Sequence, residues 1–285
     1  MAVTNSADSI DQHNLVENFS ASQFLQSAFS SRVNEIIAHV GALRENISTD
    51  AIHDCRVAIR TTRSYLKTFS PLLKRKVTQD LDDELRWLGK HVGRLRDVDV
   101  EIALVHRLSQ ESKQDFQLVL HELERHRQEC TVNLALVLKR KRVDALLTQL
   151  VHFSLQPTLR KKVLAKSSSE CKAQITQCVS QTWVSLFGAI NVLPKKPKLS
   201  ALHKVRLMAK QCRYAYEAAE LLNTFPTDHI AEQAKKLQQL LGNINDKATL
   251  KRWVEKQDTF DATTTEALVK ALNLSKRVNK KKLFG

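Results

Sequence analysis

Apolar residues recur at intervals of three and four from about Phe24 onward. Leu25, Phe29, Val33, Ile36, Ile37 and Val40 mark one face, which is the period of an amphipathic helix. A second helix opens after Ser48-Thr49-Asp50, a capping signal, and runs to about Phe69, where Ser70-Pro71 stops it. Long helices follow over roughly 77–108 and 112–139. Residues 140–165 read as a shorter basic helix and a connection through Pro157, and 168–191 as helix again. The stretch from Pro194 to Pro197 is the clearest break. Beyond it the pattern predicts helices at about 199–223, 227–243, 246–257 and 262–277. Residues 1–22 form a polar N-terminal tail. Residues 279–285 close a basic stretch that begins at Lys276 and reads as a solvated end.

Composition supports an all-α chain. Only 6 glycines and 5 prolines occur among 285 residues, against averages of about 7% and about 5%. Tight turns, hairpins and glycine-rich phosphate loops are therefore scarce, which argues against a Rossmann domain, a P-loop enzyme or a β-sandwich. At 42% hydrophobic residues the chain can build a core, as one large domain or two ordinary ones. No run of 18 apolar residues is present, and the start of the chain lacks a basic region followed by an apolar one, so neither a membrane span nor a signal peptide is expected. Five scattered cysteines without a C-x-x-C pair suit a reducing cytosol, and no metal site or cofactor is expected.

Charge changes the picture. The chain carries 45 Lys/Arg against 30 Asp/Glu, a net +15. Residues 1–150 hold 21 basic and 20 acidic side chains and residues 151–285 hold 24 and 10, so +14 of the excess lies in the second part. A polyanionic partner is expected.

An internal repeat locates it. His53, Arg56, Arg60 and Arg63 recur 150 residues later as His203, Arg206, Lys210 and Arg213. A second block follows each copy: Leu88-Gly89 with Gly93, Arg96 and Asp97, then Leu241-Gly242 with Asn245 and Asp246. Gly93 aligns with Gly242 and Asp97 with Asp246, at an offset of 149. From composition, about 0.04 copies of the His-led pattern are expected by chance, against the two observed. Two linked blocks argue for duplication of a helical unit.

On a helix, positions i, i+3, i+7 and i+10 fall within about 80° of one another. Each copy thus carries a stripe of cations nearly three turns long, which Lys67 extends in the first. The apolar flank lies beside it: Ile52, Cys55, Ala58, Ile59, Leu66 and Phe69, and then Leu202, Val205, Met208, Ala209, Cys212, Tyr216 and Ala219. Like charges at this spacing cost about 0.2–0.5 kcal/mol per pair. Asp97 and Asp246 can pair with stripe arginines, yet two acids leave a surplus of cations for a ligand. The stripe repeats every 4.5–6 Å or so, a spacing on the scale of linear phosphate chains, and guanidinium forks suit phosphate oxygens. His53 and His203 head the stripes and gain charge beside phosphate. Arg86, Lys235 and Arg96 are expected to add to the site, with Lys90, Arg94 and Lys236 as weaker candidates. The glycines allow close helix crossing.

These motifs resemble the CHAD domain family, in which a His-x-x-Arg helix and a Leu-Gly-x-x-(Arg/Asn)-Asp block are duplicated. The resemblance spans roughly 25–275 and puts a CHAD-like domain at 23–278, with repeats at about 23–155 and 166–278. It departs at Thr61 and Gln211, where the family usually has a further basic residue. It implies two pseudo-symmetric four-helix bundles around a central basic pore. It also implies non-catalytic binding of inorganic polyphosphate in the cytoplasm, with polyphosphate granules as an associated location. Two alternatives remain. One is a single-stranded nucleic-acid binder, for which only Tyr214 and Tyr216 interleave the cations. The other is a phosphohistidine or metal-dependent phosphotransfer enzyme, for which no nucleotide motif is visible.

Overall fold

The computed structural model describes residues 20–222 and 228–272. Among these the chain is helical, with one isolated antiparallel bridge between Leu73 and Leu159. The helices are α1 (Ala21–Glu45), α2 (Thr49–Thr68), α3 (Arg75–Ser112), α4 (Gln117–Leu138), α5 (Lys141–Leu155), α6 (Lys161–Leu164), α7 (Ser168–Asn191), α8 (Leu199–Ala219), α9 (Asp228–Val254) and α10 (Ala262–Leu272). A 3₁₀ turn, Glu220–Leu222, follows α8. The tails at 1–19 and 273–285, including the basic Lys276–Lys282 stretch, lie outside the described residues.

Local chemistry sets several helix starts. Ser20 and Ser167 form capping boxes with Gln23 and Glu170, and the Ser48 hydroxyl accepts from Ala51 N at 3.2 Å to open α2. After Pro71, Arg160 fixes the turn into α3 by donating to Leu73 O and Ser70 O at 2.8 and 3.0 Å. The sequence pattern is corrected in one place: 227–243 and 246–257 do not form two helices. One helix, α9, runs through Gly242, which keeps a negative φ. Leu237, Leu241, Ala248, Leu250 and Val254 stay buried along it, so packing carries the helix across a residue of low propensity.

The apolar interior has two clusters. The larger joins α1, α2, α5, α7 and α8 with the first half of α3, the end of α4 and the first half of α9. Phe29 sits at its centre with edge-to-face contacts to Phe153 and Tyr65, at ring separations of 5.0 and 6.0 Å. The smaller joins the second half of α3 to α4, the end of α9 and α10 through Val105, Leu123, Leu250 and Leu268. At 38 residues α3 is about 57 Å long and reaches both clusters. Each cluster draws on residues before and after the Pro194–Pro197 break, so the two segments share their cores.

Candidate functional site

Two amphipathic helices position the cations. In α2 the flank Ile52, Cys55, Ala58, Ile59, Leu66 and Phe69 is buried, which leaves Arg56, Arg60, Arg63 and Lys67 on the adjoining face. In α8, Leu202, Val205, Ala209, Cys212, Tyr216 and Ala219 are buried and Met208 is partly so. The two helices meet through polar groups. Arg60 Nη2 donates to the Tyr214 hydroxyl at 3.3 Å, and Gln211 Nε2 donates to Thr68 Oγ1 at 3.4 Å.

Beside this contact lies a cavity of about 540 Å3. Six cations line it: Arg60, Arg63 and Lys67 from α2, Arg75 and Arg86 from α3, and Lys210 from α8. Asp82 is its one carboxylate. Ser64, Thr78, Gln79 and Gln211 add neutral hydrogen-bonding groups.

Carboxylates neutralise some of the predicted cations and leave others. Asp82 takes Arg63 through both oxygens, at 2.7 and 3.3 Å, and Arg86 at 2.9 Å. Asp83 also meets Arg86 at 3.3 Å. Arg56 pairs with Asp97 at 2.8 Å and donates to the Gly93 carbonyl. Arg213 pairs with Glu217 at 2.6 Å. Among the described residues Arg60, Lys67, Arg75, Arg206 and Lys210 have no carboxylate within ion-pair distance. Asp246 lies close enough to Arg206 to favour its charge, but burial outweighs it and pushes that guanidinium below its ordinary range. The Nε atoms of Arg60 and Arg206 are buried without a hydrogen-bond partner among the described residues, so part of each donor fork is unused. Lys210 is pushed down to about 7, first by burial and then by Arg60, Arg206, Arg56 and Arg63.

The histidines lie outside the cavity lining and differ from each other. His53 is held below 6.5 by desolvation, then by Arg96, with Arg60 and Arg56 adding and Asp54 opposing. His203 Nδ1 is 3.0 Å from Asn245 Oδ1, and Asn245 occupies the register of Arg96. The first histidine thus faces a cation and the second a neutral amide.

Other expected residues are not brought to the cavity. Lys235, Lys236 and Lys90 are exposed, and Lys236 is tied to Glu232 at 2.7 Å. Arg94 faces a separate cavity of about 330 Å3 with His91, Glu101, His126 and Trp253. Glu101 there is 5% exposed, and burial followed by Asp97 and Asp246 raises it to about 7. The glycines differ in the space beside them. A Cβ on Gly93 would stand 2.9 Å from Arg56 Nη1, and one on Gly242 would stand 3.8 Å from Arg206 Nε.

Sequence reasoning missed Arg75, Asp82 and Glu217. A signal existed for the first two, because Arg75, Gln79, Asp82 and Arg86 are spaced 4, 3 and 4 and share one helix face. Glu217 lies four residues after Arg213 and replaces Lys67 in the repeat register. Among the described residues no group of three or more His, Cys, Asp or Glu is arranged to hold a metal ion, and no helix is long and apolar enough to cross a membrane.

The site is a cation-lined cavity among packed helices, with Gly93 giving Arg56 close approach to the neighbouring helix and Gly242 lying at ordinary contact distance from Arg206. The family model of the CHAD domain matches residues 27–255, and the chain belongs to the CHAD domain family. Two solved structures share the fold. PptA from Streptomyces chartreusis superposes with a TM-score of 0.71 at 16% identity, over 88% of this chain and 92% of that one. The CHAD domain from the plant Ricinus communis gives 0.69 at 20% identity, over 90% and 86%. No curated protein sequence matches the chain.

Proposed function

We propose that this chain binds inorganic polyphosphate without transforming it. The observation that carries this reading is the charge in the 540 Å3 cavity, where six basic side chains face one carboxylate and Arg60, Lys67, Arg75 and Lys210 have no carboxylate partner among the described residues. An anion with closely spaced charges along its length relieves that repulsion at several points together. A single phosphate relieves it at one or two. Guanidinium forks with unused donors, as at Arg60, favour phosphate oxygens. In this reading the two repeats, at about 23–155 and 166–278, present their rails to one basic passage. The exposed His53 and His203 stand at its ends, and Arg206, Arg213, Lys235 and Arg96 extend it beyond the cavity. Scattered cysteines suited to a reducing compartment, together with that ligand, support a cytoplasmic role at polyphosphate granules.

The single-stranded nucleic-acid reading is weaker. Tyr214 and Tyr216, the aromatics interleaved with the second rail, are each 2% exposed and offer no face for base stacking. Phosphotransfer through a histidine gains no support from His53, whose surroundings are cations.

Thermal unfolding with added ligand tests the proposal. Long-chain polyphosphate raises Tm by mass action, and single-stranded DNA at the same phosphate concentration raises it less. Equal shifts favour the nucleic-acid reading. Hydrolysis of polyphosphate by the purified chain contradicts the non-catalytic one.

A further inference from the structure

The cavity holds two lysines among guanidinium groups, Lys67, which is exposed, and Lys210, which is partly buried. Lys210 projects from α8 into the space lined by Arg60, Arg63 and Lys67 of α2 and by Arg75 and Arg86 of α3. Arg206 lies one turn earlier on its own helix, and Arg56 also acts on it. Asp82 is the carboxylate in reach of the cavity, and Arg63 and Arg86 occupy it. On α9, Asp246 acts on Arg206. From α7 the neighbouring groups near this end of α8 are Cys178, Gln181 and Thr182, none a counter-ion. Guanidinium keeps its proton throughout the physiological range, whereas an ammonium group can release one. Of the two ammonium groups Lys210 is the less exposed and has four guanidinium groups acting on it, so it is the group that yields when the cavity must shed positive charge.

We infer that Lys210 is the proton-coupled selectivity residue of this site: on the alkaline side of neutrality it stands largely neutral in the empty cavity and takes up a proton as a polyphosphate chain enters. The inference rests on the polyphosphate reading and adds a rule of discrimination. A ligand must bring enough negative charge against Lys210 to hold an added proton there among the surrounding cations. A condensed phosphate chain does so, because several of its charges lie within the cavity together. An isolated monovalent anion does not. The lowered ammonium pKa, about 7 in the free protein, sets the range in which the coupling is visible. At pH 8 such a lysine is about one-tenth protonated, so binding takes up about 0.9 proton, and at pH 6 only about 0.1.

Calorimetric titration of the full chain with long-chain polyphosphate tests this in buffers of different ionisation enthalpy. The slope of observed heat against buffer enthalpy counts the protons. The expected result is an uptake near 0.9 at pH 8 that shrinks towards pH 6. Lys210→Arg is expected to bind without this uptake, and about tenfold more tightly than the parent at pH 8, because its charge is already in place. The unmodified chain carries the test even where the variant does not fold. Binding with no buffer dependence at pH 8 overturns the inference and leaves the polyphosphate reading standing, as does an Arg variant with the parent's uptake. Absence of binding at either pH overturns the polyphosphate reading itself.

Discussion

Arg60 and Tyr214, 154 residues apart in the chain, meet at 3.3 Å through guanidinium Nη2 and phenolic oxygen. This contact brings the cationic face of α2 against α8, so Lys210 shares a cavity with Arg60 and Arg63. Tyr214 is 2% exposed and holds Arg60 without neutralising it. A neutral acceptor thus positions the guanidinium, and no carboxylate among the described residues pairs with it.

Removing the unpaired cations lowers the salt dependence of binding. For single-stranded nucleic acid the log–log slope is about 0.7 per phosphate contacted, and polyphosphate is expected to follow a similar scale. Arg60→Ala with Lys210→Ala is expected to reduce the slope by about 1.4 and to weaken binding while helix content by circular dichroism stays unchanged. Affinity and slope equal to the parent's place the ligand elsewhere.

Three glycines on the crossing helices separate by the space beside them. Alanine gains about 0.8–1 kcal/mol of helix propensity over glycine. At Gly242 the added Cβ meets Arg206 Nε at an ordinary 3.8 Å, so Gly242→Ala is expected to stabilise by about that propensity difference. At Gly89 it meets the buried Ile59 Cγ2 at 3.0 Å, and overpacking of about 1–3 kcal/mol exceeds the gain. At Gly93 it displaces the end of Arg56, so the change weakens the Arg56–Asp97 pair and falls between the other two. Urea unfolding of the three variants checks the order.

Stability of the ligand-free chain depends on pH through Lys210. Its folded pKa of about 7 lies below the ordinary 10.5. Between those values the unfolded chain binds the extra proton, so stability rises with pH by at most ~1.4 kcal/mol per unit. Unfolding free energy measured from pH 7 to 8.5 is expected to climb, and Lys210→Met to flatten the climb. A slope that survives the substitution assigns it to another group.

Glu101 acts with the opposite sign. Its carboxyl is raised to about 7 from 4.5, so the folded state keeps a proton that the unfolded chain releases. Stability is lost as pH rises from 4.5 to 7. Glu101→Gln keeps the site neutral at every pH. The gain in Tm over the parent is therefore expected to be larger at pH 8 than at pH 5, and equal gains at the two pH values remove Glu101 as the cause.

Local periodicity made the helices and the cationic face of α2 legible. Ile52, Cys55, Ala58 and Ile59 are buried, and the face they leave carries the arginines. Distant partners were less visible. Asp97 was readable as a partner of Arg56 because it belongs to a motif that repeats with the arginine. Asp82, which serves both Arg63 and Arg86, shows only through its spacing from Arg75, Gln79 and Arg86, because nothing in the second copy matches it at the same offset. The break expected near residues 243–246 failed for a related reason. Gly242 lowers local helix propensity, but Leu241 and Leu250 are anchored in the cores, and tertiary packing decided the outcome. Thr61 stands where the family usually carries a further cation. It is 2% exposed and bonds back to Val57 O, which places it on the packed side of α2.

The most direct test of a polyphosphate site is a binding titration of long-chain polyphosphate and single-stranded DNA, matched in phosphate, at two salt concentrations. The account predicts tighter binding of polyphosphate at both, with a slope of about 3 from the four unpaired cations of the cavity. DNA binding as tightly as polyphosphate at both salt concentrations, or polyphosphate affinity indifferent to salt, contradicts it.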